Sequence, residues 1–434
     1  MKKSKRFIAI ISSIIMLFSI FGGLTQAFAA TTYYAYSIGV NHGSATSSSS
    51  LTGDFRPNVK YANTCYGMIN GITSYYNCSP DRAYMKGNNP SGNPRIASRV
   101  VFLNGHANQS NIVFNANNAG GNYDTGVTLG STTTKCIGLA SISMSTCDLI
   151  SFVGCDTAKE TTTSTNNIAK QARSRGATSS VGFKDKITSR STDGKGWCNK
   201  YNDALALGYT ISGAISYATS FYPNSDLGKY ARVYGSTSNK IATSSGNVSS
   251  VTPVQMCYRV IEPKNISVVS SIKDTNAFNI NTDVIASEIK KTAQSFDLSD
   301  YTVYTNMFSE DERTGIVVFT YMINNKVETN YAYVAEIQDG KLVNIICSFD
   351  KDANTMTKNA RNTIVNKVST HKTEKKLRSP EKLNNNLQGK ISASNESYYF
   401  DFNTNELRYV NVQYYTAINA ENVTVDIPYE EVIS

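Results

Sequence analysis

The chain has 434 residues, 40% of them hydrophobic and 17% charged, with eight cysteines, three histidines and a formal net charge of +9. That is enough apolar material for two or three domains. No two cysteines stand as C-x-x-C, which excludes zinc ribbons and thioredoxin-type sites, and no Lys/Arg stripe interleaved with aromatics supports a nucleic-acid face.

In chain order, the first segment reads as a leader. Lys2, Lys3, Lys5 and Arg6 precede the apolar run Phe7–Phe21, and Ala27-Phe28-Ala29 is a small-x-small cleavage site. Residues 1–29 are therefore predicted to be a secretory signal peptide. No later run is long and apolar enough to span a bilayer. The expectation is a secreted protein, free or held at the cell envelope, with no membrane segment after cleavage. Export permits disulfides, and Cys65 with Cys78 and Cys136 with Cys147 are local candidates, though connectivity is not legible in spacing. Residues 30–262 carry 20 basic against 11 acidic side chains and residues 263–434 carry 18 against 22, net charges of +9 and −4. Opposite charges favour intramolecular docking of the second region on the first.

Tyr34–Val40 reads as a strand and Val59–Ile72 as a helix. Val100–Leu103 and Leu149–Val153 are short continuous apolar runs, the pattern of parallel strands buried on both faces. In Ser164–Ala177 (STNNIAKQARSRGA), Ile168, Ala169 and Ala172 share a helical face. Ser164 or Thr165 is the predicted cap, with Arg173 and Arg175 in the last turn and Gly176 as the stop. A strand at Thr178–Phe183 follows. Two more helices carry Trp197, Tyr201, Ala204 and Leu205, ending at Gly208, and Ala214, Ile215, Ala218 and Phe221. Alternating strands and helices predict an α/β domain with a mainly parallel sheet over residues 30–233. Residues 234–264 read as a Ser/Thr/Gly-rich linker with a trailing strand. Residues 265–434 group their elements as an α+β domain. Its helices are predicted at Ile285–Phe296 and Lys358–Val368. Strands Ile316–Met322, Tyr331–Ile337 and Leu342–Ser348 form a meander that turns at Gln338-Asp339-Gly340. A hairpin pairs Glu396–Phe402 with Leu407–Tyr415.

The chemistry sits after the two apolar runs. VVFLNGHANQS places His106 beyond the first, and DLISFVGCDTAK places Cys155 beyond the second. Open parallel sheets bind ligands outside the carboxyl ends of their strands. An imidazole and a thiol on one rim make a minimal base–nucleophile pair. G-x-S-x-G, H-E-x-x-H, Walker and dinucleotide motifs do not occur in the chain. Three histidines without ligand spacing predict no catalytic metal and no cofactor. A structural Ca²⁺ stays open, because oxygen ligands leave little trace in one sequence.

These residues resemble the caspase-like cysteine peptidases of clan CD, in particular the CHAT type. The shared pattern is an apolar strand ending in histidine, VVFLNGH, and a second ending in Gly-Cys, LISFVGC, with the histidine about 50 residues upstream. SIGV at Ser37–Val40, NNIAKQARSRGATSSVGF and WCNKYNDALALGYTISGAISYA are similar to the family's first strand, its helix–strand unit and its closing helix pair. The resemblance covers Tyr33–Phe221. It implies a caspase-like three-layer domain and a cysteine endopeptidase acting on a peptide or protein substrate. Cys155 would be the nucleophile and His106 the base, with the backbone N–H groups of Cys155 and Ala107 holding the oxyanion. His42, Asp156, Asp185 and Asp193 would lie at the substrate pocket, where a carboxylate in the loop after Phe183 would select Arg or Lys. Three features depart from the family. Ala107 stands where it has glycine, the Arg-Gly of caspases proper is missing after Cys155, and no Asp or Asn can be named to orient the histidine. The rival reading is a catalytically inactive caspase-like binding or adhesion protein at the cell envelope.

Overall fold

The structure is a computed structural model. It describes residues 32–43, 51–114, 126–133, 136–162, 164–242, 259–263, 265–271, 278–349, 355–377, 391–417 and 422–434. The leader at 1–29 and most of the linker lie outside these residues.

The first ten strands are β1 (Tyr33–Ile38), β2 (Ile72–Asn77), β3 (Val100–Asn104), β4 (His106–Ala107), β5 (Asn111–Val113), β6 (Gly126–Thr128), β7 (Cys136–Gly138), β8 (Leu149–Val153), β9 (Ser179–Phe183) and β10 (Ala231–Gly235). Six helices accompany them: α1 (Arg56–Gly67), α2 (Arg82–Lys86), α3 (Ile168–Ser174), α4 (Thr192–Ala206), α5 (Ile211–Phe221) and α6 (Asp226–Tyr230). One sheet has the order β10-β9-β8-β3-β1-β2. All its pairings are parallel except that of β10 with β9. Every residue of β3 and β8 is buried, and successive side chains feed two different cores. Val100, Phe102 and Leu149 pack with α1, α4 and α5. Val101, Leu103 and Ile150 pack with Ile168, Ala169 and Ala172 of α3 on the other face. A period of two with both faces covered is the reason these strands read as unbroken apolar runs.

Local chemistry sets several boundaries differently from the sequence expectation. The helix predicted over Val59–Ile72 begins at Arg56 and stops at Gly67, because Gly71 (φ +80°) turns the chain into β2 at Ile72. Asn167, not Ser164 or Thr165, caps α3, its side chain accepting from the Lys170 N–H. Gly176 and Gly208 take the left-handed conformation that ends α3 and α4. Neither local disulfide candidate is bridged: Cys65, Cys78, Cys136 and Cys147 are free thiols. Helix α1 points Cys65 at Asp203 of α4, with Sγ 3.6 Å from the carboxylate, instead of toward Cys78.

The rest of the chain supplies β11 (Arg259–Ile261), β12 (Ile266–Ser267), β13 (Val269–Ser271), β14 (Phe278–Ile280), β15 (Tyr301–Met307), β16 (Gly315–Ile323), β17 (Val327–Gln338), β18 (Lys341–Cys347), β19 (Ile391–Asp401), β20 (Glu406–Thr416) and β21 (Thr424–Ile433). Helices α7 (Thr282–Thr292) and α8 (Lys358–Leu377) complete it. Strands β16 to β18 form an antiparallel meander. Asp339 and Gly340 both have positive φ at its second turn, as a tight hairpin turn requires. The sheet continues β18-β17-β19-β20-β21-β4-β5-β6-β7. It therefore runs without a break from the C-terminal strands into the ribbon that follows β3. Ala214, Ile215 and Ala218 of α5 share one apolar core with Ile316, Val318 and Val334 of this second sheet. Strand β21 has no counterpart in the sequence expectation.

Candidate active site

Strands β3 and β8 pair from Val100↔Leu149 to Asn104↔Val153. His106 and Cys155 each lie two residues beyond the last of these pairs, on the carboxyl rim. The Gly105 N–H still donates to the Val153 carbonyl (3.2 Å), so the two strand ends leave the sheet together. Their closeness explains the glycine before the cysteine. A Cβ on Gly154 would stand 2.6 Å from the Ala107 Cβ and 2.7 Å from the Gly105 carbonyl oxygen, inside van der Waals contact. A buried amide network braces the rim from beneath. The Asn104 amide donates to the Val153 carbonyl and to Ser189 Oγ, and the Asn58 amide donates to Asn104 Oδ1 and the Ser189 carbonyl. These bonds pin the loop after β9 to the end of β3, two residues before His106.

The His106 ring is fully buried. Nε2 lies 2.7 Å from the Thr52 carbonyl oxygen. A carbonyl only accepts, so Nε2 carries the proton and Nδ1 faces the rim with its lone pair. The Thr52 carbonyl thus does the orienting that no Asp or Asn was found to do. Phe55 packs edge-on against the imidazole (4.8 Å between centroids) and the His42 ring stacks on it at 5.1 Å. Burial foremost, then the Arg190 guanidinium, pulls the His106 pKa down to about 3. Burial foremost, then the adjoining His106 ring and the Arg190 guanidinium, hold His42 well below the usual histidine range as well. Both rings are neutral at ordinary pH.

Cys155 is 2% exposed, and its Sγ donates to the Ile187 carbonyl at 3.2 Å. Burial foremost, then the Asp426 carboxylate, holds its pKa well above the ordinary thiol value. The pair at the rim is a neutral thiol and a neutral imidazole. The following residue, Asp156, has φ +61°, a conformation that costs a non-glycine residue strain and that Asp tolerates better than most. Its N–H donates to the Asp185 carbonyl, and its carboxylate takes bonds from Lys159 and the Thr424 hydroxyl.

The carboxylate nearest the histidine comes from the far end of the chain. Asp426 of β21 places Oδ1 3.5 Å from His106 Nδ1 and Oδ2 3.3 Å from Arg190 Nε. Oδ2 also accepts from the Thr188 hydroxyl at 2.7 Å. The Arg190 side chain is nine-tenths buried, lying over Phe55 and passing Gly53, where any Cβ would meet its guanidinium. Four residues on, Glu430 accepts from the Thr192 N–H at 2.6 Å and from the Thr192 hydroxyl, at the N-terminus of α4. That position favours anions.

Of the residues singled out from the sequence, His42, His106, Ala107, Cys155 and Asp156 come together here, with Ala107 paired to Thr424 of β21. Asp185 and Asp193 do not join them through their side chains. The Asp185 carboxylate bonds the Lys186 N–H in its own loop. Asp193 accepts from the Tyr399 hydroxyl at 2.9 Å, beside a cavity of about 430 Å³ between α4 and the second sheet. In the same loop the Arg190 guanidinium lies 3.3 Å from the Asp426 carboxylate. Sequence reasoning passed over Thr52, Thr188, Arg190 and Asp426. Arg190 lies in the loop searched for acids, and a backbone carbonyl has no signature at all. Among the described residues no cluster of three or more His, Cys, Asp or Glu side chains could hold a metal ion. No family model and no curated protein matches the chain.

Proposed function

We propose that the chain is an exported cysteine endopeptidase of caspase-like fold, with the second sheet as an appended α+β unit. The observation that carries this reading is the His106 geometry: an imidazole locked by a backbone carbonyl through Nε2, which leaves Nδ1, now facing Asp426, as the proton-exchanging nitrogen on the rim that also carries Cys155. In this mechanism the Cys155 thiol gives its proton to His106 Nδ1 and Sγ attacks the scissile carbonyl. The imidazolium then protonates the leaving amine, and water releases the acyl group from sulfur. Backbone N–H groups of Cys155 and Ala107 are the proposed oxyanion donors. Neutral groups at rest fit such a cycle once substrate displaces Asp426, because a departing carboxylate removes the charge that opposes thiolate formation.

A binding protein with a silent dyad is the second reading, and the burial of Cys155 favours it. A peptidyl acyloxymethyl ketone, which needs an activated thiolate, separates the two. Adduct on Cys155 in the wild type or an Asp426→Ala variant, absent from Cys155→Ala, supports the peptidase. No adduct in any of them ends that reading.

A further inference from the structure

Strand β21 has two unlike faces. Val423 and Val425 pack with Leu51, Val113 and Tyr415 in a small apolar cluster, with Ile427 against it. The alternate residues Thr424, Asp426 and Glu430 point the other way, to Asp156, to Thr188 with Arg190, and to the start of α4. One edge of the strand is paired with β20 over ten positions. Among the described residues the other meets the ribbon after β3 only at Thr424↔Ala107. Two residues beyond that pair Asp426 lies against His106. An extended segment that joins a sheet edge by backbone bonds and sets alternate side chains in pockets is how a peptide is held in a cleft by strand addition.

We propose that Thr424–Ile433 is a built-in occupant of the peptide cleft, and that the enzyme is latent while Asp426 is seated on Arg190 and Thr188. The inference rests on the peptidase reading and adds its regulation. The anchor pocket is built for a carboxylate. The Arg190 side chain is nine-tenths buried with Nε 3.3 Å from Asp426 Oδ2, the Thr188 hydroxyl donates to the same oxygen, and no other acidic side chain forms an ion pair with Arg190 among the described residues. Occupied, it closes the site in two ways. The carboxylate stands where a substrate would approach His106 Nδ1, and its charge opposes ionisation of Cys155, which is 2% exposed in a core shared with Val412 and Tyr414 of β20. Tethering keeps the occupant at high effective concentration, so release requires cleavage of the strand's connection or competition by an acidic extended peptide.

The test uses the full chain with Asp426→Ala, and with Asp426→Ala plus Glu430→Ala, neither residue belonging to the dyad. Two readouts are followed: iodoacetamide alkylation of Cys155, read by peptide mass, and cleavage of a mixed peptide library. The expected result is at least a tenfold rise in both, reversed by a synthetic Thr424–Ser434 peptide and not by the same peptide carrying Asp426→Ala. A rise in alkylation without cleavage supports the occupant and ends the peptidase reading. Equal cleavage by wild type and variants overturns the occupant and leaves the peptidase standing. Unchanged alkylation in folded variants also overturns it. Should the double variant fail to fold, Thr188→Val, which removes only the hydroxyl bond, is expected to give a smaller rise, and no rise there overturns the proposal.

Discussion

Asp426 Oδ1 lies 3.5 Å from His106 Nδ1, although the two residues stand 426 − 106 = 320 positions apart in the chain. The same carboxylate faces Arg190. One side chain thus neutralises a buried cation and blocks the only ring nitrogen of His106 not already committed to Thr52. A buried pair of this kind adds little net stability against an apolar alternative, but loss of one partner is costly.

The Arg190–Asp426 pair is the first quantity to measure. Arg190→Ala and Asp426→Ala are each expected to lower stability by about 3–5 kcal/mol if the remaining charge stays buried. The double variant is expected to recover part of that loss, with a coupling of about 1–3 kcal/mol. Denaturant titration of the four proteins checks it. Additive losses would mean that the two charges do not interact.

Cys155→Ala is expected to abolish cleavage and to change stability by no more than about 1 kcal/mol, since removal of one sulfur leaves a small cavity. Thermal melting and a peptide-library assay in the Asp426→Ala background measure the two halves separately. Retained cleavage would remove Cys155 from the mechanism.

In that background His106→Ala should reduce cleavage by about 10²–10⁴-fold, the usual worth of a positioned acid–base group. His42→Ala should lose less than about tenfold, because His42 packs against the working ring and Phe55, and neither of its nitrogens has a hydrogen-bond partner among the described residues. Equal losses would make His42 a second acid–base group.

Stability should depend on pH in two opposed ways. Burial raises Asp193 to about 7 and Asp226 to about 6. Both raised values lie above the unfolded value near 3.9, so each group costs stability as pH rises through its folded pKa. His106, lowered to about 3, is the reverse: its neutral burial costs stability as pH falls below the unfolded value near 6.5. Asp193 faces Tyr399, Glu430, Asp401, Arg408 and Tyr222. Asp226 faces Lys229, Tyr414, Asp185, Tyr304 and Tyr230. Asp193→Asn should therefore gain on the wild type as pH rises from about 4 to about 7, and His106→Gln should gain on it as pH falls from about 6.5 to about 3. Melting temperatures across pH check both signs.

Gly154→Ala is expected to lose at least about 2 kcal/mol and all cleavage. Its Cβ would overlap Ala107 and the Gly105 carbonyl, and overpacking at a rigid rim costs about 1–3 kcal/mol. A melting curve like that of the wild type would show that the strand ends can part.

Much of the first sheet was legible in the residues themselves. Val100–Leu103 and Leu149–Val153 announce buried parallel strands because both faces are covered and nothing polar need interrupt them. Gly176 and Gly208 announce helix ends because only a residue without a Cβ takes that backbone cheaply. The positions of His106 and Cys155 at the ends of such strands follow from the same local rules. Tertiary structure alone decided the rest. The group that holds His106 is a backbone carbonyl, identical in every residue type. The C-terminal segment TVDIPYEEVI carries three acids and a proline, so by itself it reads as a solvated tail. It becomes a strand only because β20 supplies its partner and Leu51 and Val113 take its apolar face. The charge beside His106 could not be read from one loop, since it is set by Arg190 and by Asp426, more than 200 residues further along the chain. Periodicity and turn chemistry act within a few residues and are written in the sequence. Pairing and electrostatic fields act across space and exist only once the sheets have met.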